Sequence, residues 1–324
     1  MIARFFLIQI FIVFMTASTL ADELDKVTIA GWGKAISEIT NILAEPEKGF
    51  FKARDIDLGY IPGTGGGSAI TNMLTGAADI AFTDPSSFYL ALDRGESLVA
   101  VYNIYPQNVF NVVSLKERNI KTVSDLKGKT IGVYSLSSGT RQNLLYLLQK
   151  VGLRETDVKI QVVGLLNFAP LMQGQVDATA ATDTGLYVGK LKGLSPVNII
   201  NVKDSLNVPS DIFVVTSDYY EKNKELLRRF LAAYRDSAAW MIAEPEEAAK
   251  IAVNRSINGR DVSVNLGIIK LRNISAQSET TKVKGLGHFD IDILQFGADT
   301  YFANGLIKSR LDMSQFIKSD LIPK

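Results

Sequence analysis

Short apolar runs alternate with helical stripes through the first two-thirds of the chain, and that alternation restricts it to layered α/β architectures. Val27–Ala30 is a buried-strand run ending at Gly31. From about Ser37, the spacing of Ile39, Ile42 and Leu43 predicts a helix. Ile56–Ile61 predicts a second strand, followed by a glycine-rich turn from Gly63 to Ser68. Ala69, Ile70, Met73 and Leu74 then predict a helix stopped at Gly76. Ile80–Phe82 and Leu98–Tyr102 predict strands on either side of a short helix, Ser86–Leu92, which Gly95 closes. The same order restarts downstream. Thr130–Tyr134 predicts a strand, Ser135–Thr140 a polar turn, and Leu144, Leu145, Leu147, Leu148 and Val151 a helix ended by Gly152. Val158–Val163 and Ala178–Ala181 predict strands around a short helix near Pro170–Met172. The last third reads as helical, with Glu221–Ala243, Glu246–Val253 behind Pro245, and Ile291–Ala303.

One detail recurs between the two runs. Gly76 is followed three residues later by Asp79, a short strand and the pair Thr83, Asp84. Gly174 is followed in the same way by Asp177, a short strand and the pair Thr182, Asp183. Taken singly, such a step is a common helix-to-strand turn. Its repetition points to two related lobes, and 324 residues suffice for two domains of about 100–200 residues each.

Composition removes several classes of function. The 35 basic and 34 acidic residues nearly cancel, without the clustered basic excess of a nucleic-acid binder. No cysteine is present, which excludes disulfides, thiol nucleophiles and zinc–cysteine sites. His288, the sole histidine, sits between Gly285, Gly287 and Phe289 and reads as surface rather than as a general base. The acidic stretch Glu244–Glu247 reads as a helix start stabilised by the dipole, not as an acid pair for hydrolysis. No metal site and no cofactor are expected.

The N-terminus has the pattern of a secretory signal. Met1–Arg4 is basic, Phe5 to Phe14 is apolar except for Gln9, and small residues lead to Ala21 before Asp22 and Glu23. An apolar core of about ten residues is half of the roughly twenty that a membrane span needs. Residues 1–21 are therefore expected to be a signal peptide, and the remainder to be free in the periplasm. With no cysteine after the signal, a lipid anchor is excluded.

Several longer stretches occur in a characteristic order: Phe50–Asp57, Gly65–Asp84, Leu126–Val133, Leu148–Val158, the turn Gly174–Asp177, and Asp211–Ile251. In this order the chain, over about residues 25–320, resembles substrate-binding proteins of ABC importers in the nitrate, sulfonate, taurine and thiamine-pyrimidine-precursor group. The resemblance implies the periplasmic-binding-protein type II fold, two α/β lobes joined by two crossing strands. Lobe 1 would comprise residues 24–112 and 216–324 and lobe 2 residues 113–215, with Phe110–Leu115 and Ile212–Thr216 as hinge strands. It further implies a monomeric, non-enzymatic receptor that delivers a small polar solute to an ABC permease of the inner membrane. The solute would be anionic, zwitterionic or amino-heterocyclic. Two other readings stay open: an enzyme of the same fold acting on a small organic acid, and a ligand-sensing lobe of another membrane system. The pyrimidine-synthesising enzymes related to this group carry Cys and His clusters that this chain lacks.

In open α/β sheets, ligands lie beyond the carboxyl ends of the strands, and five turns of this sequence qualify. At Trp32 and Gly33 the indole can stack on a ligand or be ordinary partial core. Gly65, Gly66, Gly67 and Ser68 allow close backbone approach and offer helix N–H groups to an anion, or form a plain capped turn. In the third turn, with Thr83 and Ser86, Asp84 can accept from an amino group or cap the helix that Pro85 opens. Ser135, Ser137, Ser138, Gly139 and Thr140 can bind an anionic group with help from Arg141, or cap the leucine-rich helix with Arg141 in solvent. Thr182 and Asp183 would close the cleft from the second lobe, and Phe168 is a weaker aromatic candidate.

Overall fold

The computed structural model describes residues 24–323, so the expected signal peptide lies outside the described residues. Ten strands form two five-stranded sheets. In chain order they are β1 Asp25–Ala30, β2 Ile56–Ile61, β3 Ile80–Thr83, β4 Leu98–Tyr105, β5 Phe110–Leu115, β6 Thr130–Val133, β7 Lys159–Val162, β8 Ala178–Thr182, β9 Val197–Asn201 and β10 Asp211–Thr216. The first sheet runs β2-β1-β3-β10-β4 and the second β7-β6-β8-β5-β9. β1 is parallel to β2 and β3, and β6 is parallel to β7 and β8. In each sheet one antiparallel strand, β10 or β5, fills the fourth place beside that parallel trio.

The repeated Gly–Asp turn has the same job in both halves. Asp79 Oδ2 accepts the Thr28 amide at 2.8 Å, and Asp177 Oδ2 accepts the Thr130 amide at 2.9 Å. Each aspartate thus tethers the parallel strand beside its own to the turn after a helix. Gly76 and Gly174 both take the left-handed conformation, at φ 75° and 73°, which glycine adopts without a Cβ clash.

The hinge expectation needs correction. β5 is an interior strand of the second sheet, and β10 is an interior strand of the first. Boundaries after residues 112 and 215 would cut through both. The chain instead passes between the sheets over residues 106–109 and returns over 202–210. An unbroken apolar run marks a strand covered on both faces, but it does not say which sheet receives it.

Among the described residues, eight helices of nine residues or more flank the sheets and the cleft between them: α1 Gly66–Leu74, α2 Pro85–Asp93, α3 Gly139–Lys150, α4 Asp183–Leu191, α5 Lys224–Ala243, α6 Pro245–Arg255, α7 Val262–Ser275 and α8 Ile291–Ala303. The expected helix Glu221–Ala243 is broken at Asn223, where the backbone leaves helical geometry at φ −123°, ψ 31°. α5 buries Leu227, Phe230, Leu231 and Tyr234 against the first sheet. Phe213 of β10 meets Phe230 at 5.4 Å and Tyr234 at 4.6 Å in edge-to-face contacts. Each fully buried ring of this kind contributes about 1.5–3 kcal/mol. α7, which no clear apolar stripe announces, packs against both α6 and α4 and so touches both lobes. On the other side of the cleft, Tyr146 of α3 stacks on Tyr301 of α8 at 6.5 Å. The two lobes are closed on each other.

Candidate functional site

The turns that follow β1, β2, β3, β6, β7 and β8 converge on one cavity of about 90 Å³ between the lobes. The first lobe contributes Trp32, Gly65, Gly66 and Asp84, and the second Ser138, Gly139, Thr140 and Thr182. Trp32 stands edge-on to Phe82 at 6.3 Å, half-buried, with its remaining face available to the cavity. Gly33 lies behind it, and its carbonyl accepts the Tyr60 hydroxyl at 2.8 Å.

The glycine-rich turn is a contact between lobes as well as a cavity wall. Gly65, at φ 129°, starts α1, and a Cβ there would collide with the Ser137 carbonyl of the other lobe. A Cβ on Gly66 would collide with the Asp84 carboxylate. Gly67 donates its amide to Ser137 O at 3.1 Å. Ser137 Oγ donates to Thr64 O at 2.9 Å, and Ser135 Oγ donates to the same carbonyl. Gly67, Ser135 and Ser137 therefore form an interlobe seam outside the cavity lining. Ser68 accepts the Thr64 amide at 3.4 Å and closes its own turn. Thr83 is buried and donates to Gly66 O at 2.9 Å, while Ser86 is buried outside the lining.

Asp84 both caps a helix and faces the cavity. Its carboxylate accepts the Ser87 amide at 2.9 Å and the Ser87 hydroxyl at 2.8 Å. Ser138 caps α3 by accepting the Arg141 amide at 3.4 Å, and its Oγ lies 2.7 Å from Thr140 Oγ1. Thr182 caps α4 through the Gly185 amide at 3.4 Å. Arg141 is outside the lining: its guanidinium is held by Glu155 at 2.6 Å and by the Leu136 carbonyl at 3.3 Å. The side chain turns back along its own lobe because an acid is available there. Phe168 is buried outside this cavity.

Three charged residues that the motifs did not single out complete the wall: Glu38, Asp211 and Arg272. Arg272 projects from α7 and is only 1% exposed. Its guanidinium pairs with Asp183, lies 3.4 Å from Glu38 through Nε, and sits 5.3 Å from the centre of the Tyr105 ring. Thr184 Oγ1 donates to Glu38 Oε1 at 2.7 Å. Asp183, expected to meet the ligand, instead belongs to this interlobe clasp, with Thr184 beside it. A lone arginine among buried Ile268, Ile269 and Ser275 was the available signal for α7. For Asp211 the signal was an acid opening an apolar strand.

Burial pushes the Asp84 carboxyl above its ordinary value, against the opposing hydrogen bonds from Ser87 and Ser86. Asp211 is pushed up much further, first by burial and then by the charges of Asp84 and Glu38. The first lobe thus offers carboxyl groups short of compensating positive charge, since Arg272 is already engaged by Glu38 and Asp183. Such groups favour a hydrogen-bond donor or a cation. The second lobe offers hydroxyls and the start of α3. Among the described residues, no cluster of His, Asp and Glu is arranged to hold a metal ion, and no helix is long and apolar enough to cross a membrane.

Comparison with known proteins agrees with this architecture. The family model described as NMT1/THI5 like matches residues 36–248. The riboflavin-binding protein RibY of Chloroflexus aurantiacus is 26% identical over 254 residues, covering 77% of this chain and 72% of the relative. The alkanesulfonate-binding protein SsuA from Xanthomonas axonopodis pv. citri, solved bound to MOPS, superposes with a TM-score of 0.72 at 20% identity, over 92% of this chain and 100% of that one. The desulfurization enzyme DSZB superposes with a TM-score of 0.58 at 15% identity, over 92% of this chain and 97% of that one. The fold is that of the type II periplasmic binding proteins.

Proposed function

The chain belongs to the NMT1/THI5-like family, and from that premise we propose that it is a solute receptor that closes on an amino-bearing heterocycle and delivers it to an ABC permease. It acts in the periplasm, as a monomer, after loss of residues 1–21. The observation that carries the reading is the pairing of half-sites around one cavity, Asp84 and Asp211 from one lobe and Ser138, Thr140 and Thr182 from the other. A solute that touches both halves favours the closed arrangement by its differential affinity.

Of the three solute classes, the charges favour the amino-heterocyclic one. An amino group can donate to Asp84 and Asp211, and a planar ring can lie against Trp32. A sulfonate or nitrate would face those carboxyls, and its one cationic partner, Arg272, would have to leave Asp183. The test is a thermal-shift and calorimetric screen of aminopyrimidines and flavins against alkanesulfonates, taurine and nitrate. Amino-heterocycles should raise the melting temperature by mass action. Asp84→Asn and Asp211→Asn should each weaken binding about tenfold, because a bound amino group draws each carboxyl into its ionised form and asparagine cannot supply that charge-assisted hydrogen bond. Tight binding of a sulfonate or nitrate with none by amino solutes would refute the reading.

The likeness to DSZB favours a second reading, an enzyme on the same scaffold. In this cavity the nucleophile would have to be a hydroxyl of Ser138, Thr140 or Thr182 or a carboxylate of Asp84 or Asp211, and His288 is not in the lining. Chemical turnover of a bound solute by the purified protein would select that reading over the receptor.

A further inference from the structure

The interlobe cleft continues past the inner cavity into a second chamber of about 180 Å³. Ile36, Glu38, Leu165 and Asn167 line both spaces, so these four residues are the partition between them. Leu165 and Asn167 stand on a tight turn of the second lobe, with Gly164 at φ 57° and Asn167 at φ 56°, ψ −98°. A non-glycine residue in that region persists only where its surroundings enforce it. The turn also leaves Leu165 45% exposed at the cleft.

The chemistry of the outer chamber differs from that of the inner one. Its surface is built from Phe168, Met172 and Val188 of the second lobe and Ile268 of the first. Of the polar groups that line it, Asn258 and Thr184 are already engaged, and Lys192 is exposed to solvent. Asn258 Oδ1 accepts the Ser37 amide at 2.8 Å and the Ser37 hydroxyl at 2.9 Å. Thr184 Oγ1 donates to Glu38. Along the face formed by Phe168, Met172, Val188 and Ile268 a polar substituent meets no partner, whereas an apolar one gains by leaving water. Because both lobes contribute apolar surface, an arm placed here also bridges them and adds to closure.

We propose that the outer chamber is a subsite of the solute cleft that takes an uncharged apolar arm attached to the amino-bearing head held at Asp84 and Asp211. The proposal rests on the amino-solute reading of the inner cavity and narrows it: the physiological solute has two parts, a polar ring and an apolar substituent. Glu38 and Asn167 face the junction of the two.

The experiment is calorimetry of the purified protein with 4-aminopyrimidine and its 5-methyl, 5-ethyl, 5-propyl and 5-butyl derivatives. Affinity should rise about fourfold per methylene as the arm fills the chamber. Val188→Trp, which fills it from α4, should abolish the gain and leave the affinity for 4-aminopyrimidine itself unchanged. Met172→Trp, at a side chain 37% exposed, serves the same purpose should Val188→Trp lose its cooperative melt. Binding of the parent compound with no dependence on arm length overturns the subsite alone. A gain that survives both tryptophan variants overturns it too. Failure of every compound to bind at millimolar concentration overturns the amino-solute reading along with it.

Discussion

Replacing Asp183 by asparagine tests the closed arrangement at its most highly charged contact. Asp183 pairs with a guanidinium that is 1% exposed, across the boundary between lobes. Two unit charges about 4 Å apart interact by about 4 kcal/mol at an effective permittivity of about 20. Asp183 is itself 33% exposed, so solvent screening lowers the figure towards that of a surface pair, which is about 0–1 kcal/mol. An intermediate loss of about 1–2 kcal/mol follows. Glu38 is on the same lobe as Arg272 and keeps its charge company in either arrangement. The loss therefore falls almost wholly on the closed form, and the ratio of open to closed molecules should rise about 5–30-fold. Small-angle scattering of the solute-free protein reads this as a larger radius of gyration. Stopped-flow binding reads it as faster release at nearly constant association rate. An unchanged scattering curve together with unchanged release would show that the clasp does not hold the lobes, and the reasoning would fail. A fall in melting temperature with neither change would assign Asp183 to the stability of its own lobe.

Asp211→Asn should trade binding for stability. Its carboxyl is raised by burial, so the native state holds a proton that the unfolded chain, with an ordinary value near 3.9, has released. Stability therefore falls as pH climbs from about 4 through the raised native value. The asparagine variant should remove that slope and be more stable at neutral pH by roughly 1–3 kcal/mol, as read by melts across pH; a slope equal to the parent's contradicts it. Asp79→Ala and Asp177→Ala should each cost about 1–3 kcal/mol by orphaning a strand amide. Denaturant titration should give similar losses for the two, and a cost confined to one would deny their equivalence. Arg141→Ala should leave solute affinity unaltered and cost less than about 1 kcal/mol, measured by calorimetry and urea midpoint; weakened binding would place Arg141 back in the site.

The positions of most strands and the repeated turn were legible because both depend on local chemistry. Runs of apolar residues, left-handed glycines and Asp79 or Asp177 act within a few residues of themselves or on the adjoining strand. The turns around Gly65, Asp84, Ser138 and Thr182 were legible for the same reason, since each opens a helix. What the sequence left ambiguous was direction. Arg141 has the composition of an anion site, yet Glu155 captures it. Ser135 and Ser137 have the same character, yet a carbonyl of the opposite lobe takes their hydroxyl protons. Glu38, Asp211 and Arg272 escaped because each acquires its role from residues far along the chain. Arg272 meets Asp183 across 89 positions, a relation that no local pattern encodes.

The central place of β10 in the first sheet has a consequence for the order in which the molecule can assemble. Among the described strands β4 pairs only with β10, which begins at Asp211, and its isolated bridges to Gly287 and Ile317 lie later still. A chain emerging from the ribosome thus carries β4 as an unpaired apolar ribbon until the whole second sheet has been made. The lobe encoded in the middle can mature first, while the lobe that starts the chain must wait for its keystone. Such a wait slows folding, because distant segments must meet before either is rewarded. It also preserves an extended, threadable polypeptide for as long as translation is incomplete.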